Sequence, residues 1–173
     1  MLTETNKQNI LVIKLGALGD FVQALGPMQA IKKHHPDAQI TLLTTKPFKN
    51  FGKECGYFDQ VILDERPKLF NPIGWLKLRK ILNDLNISRV YDLQNNDRTN
   101  LYFKLFSPKP EWVGIAKGAS HRNTSKKRTK GHAFYGHVQT LSLAPYRERF
   151  QKRTEFRQMP LTHIHFWSTS SCR

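Results

Sequence analysis

An apolar run over residues 10–15 ends in the turn Gly16-Ala17-Leu18-Gly19-Asp20, and an amphipathic helical pattern follows at once. A strand that turns directly into a helix brings backbone N–H groups and the positive end of the helix to one point. Here the carboxylate of Asp20 is placed at the same point. The segment therefore predicts a strand-turn-helix unit of an α/β fold, with a candidate site at the turn.

The spacing of the glycines in this turn differs from two familiar phosphate-binding motifs. A dinucleotide fingerprint needs G-x-G-x-x-G and a P-loop needs G-K-[ST] after its spacer, whereas this turn offers only G-x-x-G-D. The residues alone leave two interpretations open. Either Gly16 and Gly19 permit a tight turn in which Asp20 caps the helix, or the turn forms a site in which Asp20 takes part in chemistry.

Strand and helix patterns alternate along the rest of the chain. Apolar runs predict strands over residues 10–15, 39–44, 59–63, 88–93 and 112–115. Helical spacing predicts helices over residues 20–34, 48–55, 72–86, 97–106 and 132–143. This alternation is typical of a Rossmann-like, doubly wound parallel sheet, so we expect the α/β class.

The charge of the chain favours an anionic partner. The formal net charge is +15, from 28 Lys and Arg against 13 Asp and Glu. Nucleic acid, anionic phospholipid and phosphorylated glycolipid all fit such a field. Residues 116–131 hold six cations and no acid, among them Arg122 and Arg128, and predict a mobile basic loop. A solvated surface is the common explanation of such a run, and it stays open beside a binding role.

No pattern in the sequence predicts a metal ion or an organic cofactor. Cys55 and Cys172 have no partner at metal-ligand spacing, and His132 and His137 are five residues apart, not four as in a helical metal pair. The sequence shows no apolar signal region and no stretch long enough to span a membrane. Isolated thiols favour a reducing compartment. We therefore expect a cytoplasmic protein, with peripheral contact between its basic residues and a membrane surface left open.

Residues 9–44 (NILVIKLGALGDFVQALGPMQAIKKHHPDAQITLLT) closely resemble the opening of glycosyltransferase family 9, the ADP-heptose:lipopolysaccharide heptosyltransferases. In that family a strand leads into a Gly-Asp turn and a helix that contains a proline, matched here by Gly19, Asp20 and Pro27. The resemblance implies a GT-B enzyme that transfers a sugar with inversion from a nucleotide-diphosphate sugar to the inner core of lipopolysaccharide. It further implies that Asp20 is the catalytic base and that the donor is a substrate, with no cofactor.

The same resemblance implies a set of residues that bind the anionic glycolipid acceptor. This set comprises Gly16, Gly19, Arg66, Lys68, Gln94, Arg98, Arg122 and Arg128. Arg and Lys suit an acceptor that carries carboxylates and phosphates. A solvated loop charge remains the alternative for Arg66 and Lys68. We expect Asp92 to fix the turn after the fourth strand and Asp97 to cap the next helix.

The resemblance covers residues 9–144 and then stops. It implies that residues 1–144 form an N-terminal acceptor-binding domain, the N-terminal half of a GT-B enzyme. Residues 145–173 show no sustained helical or strand period. We expect an irregular, aberrant tail there, put in place of the donor-binding domain by a frameshift or a premature terminus. On that interpretation the chain does not transfer sugar unaided.

Two other functions stay open at this point. A basic module that binds nucleic acid or an anionic membrane surface agrees with the charge. The sequence has no zinc-finger spacing, RNP-like strand or GXXG clamp, so we expect no specific nucleic-acid partner. A non-functional fragment that folds poorly is the remaining alternative. The sequence predicts no oligomeric state.

Overall fold

The computed structural model describes residues 7–125 and 133–143, with the backbone alone for residues 133–135. The strands are β1 (Asn9–Ile13), β2 (Gln39–Thr44), β3 (Gln60–Leu63), β4 (Arg89–Asp92), β5 (Glu111–Gly114) and β6 (His121–Arg122). The helices are α1 (Leu18–His34), α2 (Lys49–Glu54), α3 (Pro72–Asp84), α4 (Asp97–Phe103) and α5 (Ala133–Leu141). A short 3-10 helix, Lys46–Phe48, precedes α2. Every predicted strand and helix is present in this part of the chain.

The six strands form one parallel sheet in the order β3-β2-β1-β4-β5-β6. The chain begins at β1 in the middle, builds outward through β2 and β3, and then crosses to the other side of β1. Ligands of open α/β sheets bind where the strand order reverses, outside the carboxyl ends of the strands. The prediction of a doubly wound α/β sheet is confirmed. The turn after β1 lies at this reversal point, between β1 and β4.

Helices cover both faces of the sheet because the central strands are apolar on both sides. Ile10 and Val12 pack with buried side chains of α1 and α5 on one face. Leu11 and Ile13 pack with buried side chains of α3 and α4 on the other. The amphipathic pattern that follows the Gly16 turn in the sequence is confirmed for α1, with Phe21, Met28 and Ile31 buried and Leu25 packed against the same core.

The helix starts correct two predictions from the sequence. Helix α1 begins at Leu18 after Ala17, whose extended backbone forms the cap without a side-chain hydrogen bond. Asp20 is therefore inside the first turn and does not cap the helix. Helix α4 is capped by Asn96, which exchanges hydrogen bonds with Thr99 in a capping box, so the assignment of the cap to Asp97 is wrong by one residue.

The basic segment after β5 is partly ordered into the sheet. Strand β6 pairs with β5, with His121 opposite Val113 and Arg122 opposite Gly114. The prediction of a basic loop over residues 116–131 is thus wrong for residues 121–122, which form a strand. Residues 126–132, with Arg128, lie outside the described residues, as do residues 144–173, which include the whole predicted tail over residues 145–173.

Candidate functional site at the carboxyl edge of the sheet

Gly16 fixes the turn between β1 and α1. Its φ is +131°, a conformation that side chains rarely adopt, and a Cβ there would lie 2.8 Å from Cε2 of Phe48. The Phe48 ring in turn stacks on Phe21, with 4.8 Å between ring centroids. A Cβ on Gly19 would meet nothing within 4 Å. Gly16 is therefore needed by the fold, whereas Gly19 leaves open space in front of the helix start.

The backbone of Leu15, just after β1, forms hydrogen bonds with three neighbouring segments. Its N–H donates to Oε1 of Gln94 at 2.9 Å. Its carbonyl accepts from Oγ1 of Thr45 at 2.9 Å and from Nη2 of Arg66 at 3.4 Å. These contacts bring the segments after β2, β3 and β4 to the Gly16 turn. Arg66 and Gln94, both predicted from the sequence, therefore meet at this turn.

Asp20 lies beside a buried cation and a buried imidazole. The side chain of Lys14 is 2% exposed, and its ammonium donates to the carbonyl of Leu93 at 3.3 Å. Burial lowers the pKa of Lys14, and attraction to Asp20 and Asp92 opposes that shift. His137 on α5 is buried, and neither ring nitrogen makes a hydrogen bond of good geometry with the described residues. Burial lowers the pKa of His137 to about 4, and the charge of Lys14 adds to that effect while the charge and the backbone of Asp20 oppose it.

The carboxylate of Asp20 itself makes no hydrogen bond and no ion pair with the described residues. Asp20 is half-buried. A half-exposed carboxylate at a helix N-terminus, attracted to the ammonium of Lys14, retains lone pairs for a hydroxyl group of a ligand. This arrangement can accept a proton from that hydroxyl.

Asp92 supports the loop after β4. Its fully buried carboxylate accepts hydrogen bonds from the N–H groups of Gln94 and Asn95, at 3.0 and 2.8 Å, and from Oγ1 of Thr99 at 2.6 Å. Burial raises the pKa of Asp92 to about 6, against these hydrogen bonds and the charge of Lys14. The prediction that Asp92 fixes this turn is confirmed, and the turn holds Gln94 against Leu15.

A second buried network supports the loop after β3. The side chain of Asp64 has no exposed surface; it accepts from the hydroxyl of Tyr102 at 2.5 Å and from the N–H of Arg66 at 2.8 Å. Arg98 donates to the Tyr102 hydroxyl at 2.5 Å and to the carbonyl of Pro67 at 3.1 Å. Its Nε lies 3.7 Å from Asp64. Arg98 thus has protein partners in this network, which ties the loop carrying Arg66 to α4.

Two other predicted cations, Lys68 and Arg122, are exposed on segments outside the Gly16 turn. Lys68 is exposed in the turn that precedes α3. Arg122 is exposed at the carboxyl end of β6, where its Nε donates to the carbonyl of Ile115 at 3.3 Å. Three strand spacings separate β6 from β1, which corresponds to roughly 14 Å. The structure thus brings together Gly16, Gly19, Asp20, Arg66 and Gln94, and it leaves Arg122 on the far side of the edge.

Sequence reasoning misses several residues of this site. Lys14 lies within a run that is otherwise apolar, and a lysine inside a buried strand is itself a signal of a special role. From the sequence, His137 is considered only as a metal ligand with His132, and their spacing does not fit such a pair. No local pattern points to Asp64 and Tyr102, because they are 38 positions apart.

Two further observations concern metal ligands and membrane spans among the described residues. Within residues 7–125 and 133–143 there is no cluster of three or more His, Cys, Asp or Glu side chains that would hold a metal ion. In the same ranges no helix is both long and apolar enough to cross a membrane.

Comparisons with known proteins place the fold. No family model and no curated protein matches the sequence. Among solved structures, the glycosyltransferase family 9 protein from Veillonella parvula DSM 2008 matches with a TM-score of 0.67 and 20% identity, over 79% of this chain and 40% of that one. This chain has the fold of the matched part of that glycosyltransferase family 9 protein.

Two Escherichia coli enzymes share the glycosyltransferase fold. ADP-heptose lipopolysaccharide heptosyltransferase II matches with a TM-score of 0.54 and 17% identity, over 69% of this chain and 36% of that one. The heptosyltransferase WaaC, solved with ADP-2-deoxy-2-fluoro heptose, matches with a TM-score of 0.55 and 14% identity, over 79% and 47% of the respective chains. The chain spans less than half the length of each of these solved relatives.

The two glycines of the turn provide a matched pair of substitutions. We expect Gly16→Ala to lower the free energy of unfolding by about 2 kcal/mol, because φ is positive and the new methyl group meets Phe48. Gly19→Ala is expected to leave stability unchanged or raise it by up to about 1 kcal/mol, because Ala is the better helix former. Urea unfolding of both variants measures the difference. Equal stability of the two would contradict the assignment of the turn geometry to Gly16.

Proposed function

We propose that this chain is the acceptor-binding part of a glycosyltransferase and that Asp20 is its catalytic base. The observation that carries the proposal is the half-exposed Asp20 carboxylate, unpaired among the described residues, at the reversal point of a glycosyltransferase fold. Ligands of open α/β sheets bind at this point. The position of the carboxylate and the fold together support the proposal.

In the proposed reaction Asp20 takes the proton of an acceptor hydroxyl while the hydroxyl oxygen attacks the anomeric carbon of the donor sugar. The new bond joins that oxygen to the anomeric carbon. The bond from the anomeric carbon to the diphosphate breaks, and the nucleoside diphosphate leaves with the electron pair. Because the hydroxyl oxygen attacks from the face opposite the leaving group, the configuration of the anomeric carbon is inverted. Asp20 is the only group of this chain to which we assign a covalent step, and we assign no donor site to the described residues.

The acceptor that suits this edge is an anionic glycolipid. Arg66 lies at the Gly16 turn, and guanidinium groups bind carboxylates and phosphates through paired hydrogen bonds. Lys68 and Arg122 add two exposed cations on other segments of the molecule, and Arg128, which lies outside the described residues, is included in the proposed set from the resemblance alone. Together with the fold, this charge favours a heptosyltransferase-like enzyme that uses an ADP-heptose type of donor and the lipopolysaccharide inner core, at the cytoplasmic face of the inner membrane.

A binding measurement tests the proposal. The ligand is a phosphorylated core oligosaccharide of lipopolysaccharide from which the lipid has been removed. We expect Arg66→Ala to weaken its binding about five- to tenfold, because one charge-assisted contact is lost. Arg79→Ala, which removes an exposed arginine from the middle of α3, is the control and should change affinity less than about twofold.

The same assay separates binding from chemistry. Asp20→Asn preserves shape and should keep the affinity for the oligosaccharide, whereas any release of nucleoside diphosphate from donor and acceptor should disappear. An oligosaccharide that does not bind, or that binds equally well to the Arg66→Ala and wild-type chains, would refute the proposed acceptor site. Turnover that survives in Asp20→Asn would refute the base.

A further inference from the structure

The turn before α3 and the exposed side of that helix present large apolar side chains to solvent. Phe70 is 97% exposed and Ile73 78% exposed, and Leu69 and Leu76 are also largely exposed. We call these four residues the apolar patch. The other side of α3 is well packed, with Leu78 and Leu82 buried in the core. Four large, exposed apolar side chains within eight residues of the chain are typical of a site of association.

The turn that carries Leu69 and Phe70 is held in place by hydrogen bonds. The N–H of Asn71 donates to the carbonyl of Lys68 at 2.9 Å, which makes Leu69 and Phe70 the central residues of a tight turn. The indole of Trp75 donates to the same carbonyl at 3.0 Å, and the Asn71 side chain caps α3 by accepting from the N–H of Gly74. Exposure of Leu69 and Phe70 is therefore built into the turn.

Basic residues surround the patch. Residues 65–80 contain five cations and one acid. Lys77 and Lys80 follow Ile73 by four and seven positions, so they lie on the same exposed side of α3. Glu65, the acid, pairs with Lys77 at 3.1 Å in an exposed contact that stabilises little. The surface is thus apolar at its centre and positive at its edge.

We infer that the apolar patch and its basic rim dock this chain onto an anionic lipid bilayer. Apolar side chains at the tip of such a surface enter the boundary between headgroups and acyl chains, and the lysine stems extend over it with their ammonium groups at the headgroups. Anionic lipid adds attraction for each nearby Lys or Arg. A second copy of this chain fits less well, because two such rims would bring like charges together.

The loop that carries Leu69 and Phe70 also carries Arg66. Asp64 fixes the backbone of Arg66, and Arg66 reaches the carbonyl of Leu15 beside the Gly16 turn. A bilayer seated on the patch therefore lies on the β3 side of the candidate site. Bilayer docking itself does not depend on the proposed transfer reaction, because the surface is defined by its own side chains.

Sedimentation with lipid vesicles tests the docking. The probe is the full chain with vesicles of phosphatidylcholine that contain about one third phosphatidylglycerol, compared with phosphatidylcholine alone. We expect strong preference for the anionic vesicles. Phe70→Ser combined with Ile73→Ser should lower the partition coefficient about tenfold or more, because two apolar side chains no longer enter the bilayer. Leu143→Ser, which changes an exposed leucine outside the patch, is the control and should bind as wild type.

A second pair of variants tests the basic rim. Lys77→Gln with Lys80→Gln should weaken binding to anionic vesicles several-fold, whereas Lys33→Gln with Lys53→Gln, of the same charge change on α1 and α2, should have a smaller effect. The Phe70→Trp variant tests insertion directly. The emission of the introduced tryptophan should shift to shorter wavelength when anionic vesicles are added and should be quenched by brominated lipid.

Three results would overturn the inference: equal binding to both vesicle types, wild-type binding by the Phe70→Ser and Ile73→Ser variant, or an emission of the Phe70→Trp variant that vesicles leave unchanged. Self-association that the double serine variant abolishes, without vesicle binding, would instead assign the patch to an interface between copies. The vesicles contain no glycolipid acceptor. Failure here is therefore distinguishable from failure of the proposed acceptor site.

Discussion

Asp64→Ala is expected to lower the free energy of unfolding by about 3–5 kcal/mol. Asp64 has no exposed side-chain surface and accepts hydrogen bonds from the Tyr102 hydroxyl and the Arg66 N–H. Its removal leaves both donors without their acceptor and takes away the carboxylate 3.7 Å from Arg98. Loss of one member of a buried charged network leaves the others uncompensated, which explains the size of the effect.

The neighbouring acid gives the matched control. Glu65 also pairs with a cation, Lys77 at 3.1 Å, but both side chains are more than half exposed. We expect Glu65→Ala to change stability by less than about 1 kcal/mol. Urea unfolding at neutral pH measures both variants. Similar losses for Asp64→Ala and Glu65→Ala would contradict the buried network as the support of this loop.

A double-mutant cycle tests whether the network acts as a unit. Tyr102→Phe removes one hydroxyl and should cost about 1–3 kcal/mol, because the carboxylate of Asp64 loses a donor inside the core. The double variant should lose less than the sum of the single losses, since both substitutions break the same hydrogen bond. Additive losses would show that Asp64 acts mainly through the backbone of Arg66.

Local patterns are sufficient to predict the fold because the signals for its elements are short-range. Residues 39–44 are predicted as a strand and form β2 with the same bounds. Helix α1 is predicted from the spacing of its apolar side chains, and that face is buried. Strand β6 is missed because two residues, His121 and Arg122, carry no apolar run, and pairing with β5 alone places them in the sheet.

The candidate site is predicted only in part, since its supporting contacts join distant segments. The turn at Gly16 and the position of Asp20 follow from contiguous sequence. Gln94 lies 79 positions from Leu15 along the chain, and their hydrogen bond exists only because β4 pairs with β1. Contacts of this kind have no local signature. Arg98 is predicted as an acceptor contact, whereas the structure gives it the Tyr102 hydroxyl and a backbone carbonyl as partners.

The free energy of unfolding is expected to fall by about 3 kcal/mol in total between pH 7 and pH 4. The two buried histidines cause the fall, and this total already includes a partial offset from Asp92. Burial lowers the pKa of His35 and of His137 to about 4, from 6.5. Between those values the unfolded chain binds more protons, so the stability that is present above pH 6.5 is lost as the pH falls toward 4. Asp92 acts in the opposite direction because its pKa is raised to about 6 from 3.8, so protonation favours the folded state there.

Two substitutions isolate the histidine contribution, and urea unfolding across this pH range measures it. His137→Phe should remove about half of the pH dependence that the two histidines cause. Its free energy of unfolding at pH 7 should be unchanged or higher, since the ring nitrogens of His137 make no well-aligned hydrogen bond with the described residues. His35→Phe should reduce the dependence similarly but lower stability at pH 7, because Nε2 of His35 lies 2.9 Å from the Tyr91 hydroxyl. A wild-type pH dependence in the His137→Phe variant would show that this imidazole is not held neutral beside Lys14 and Asp20.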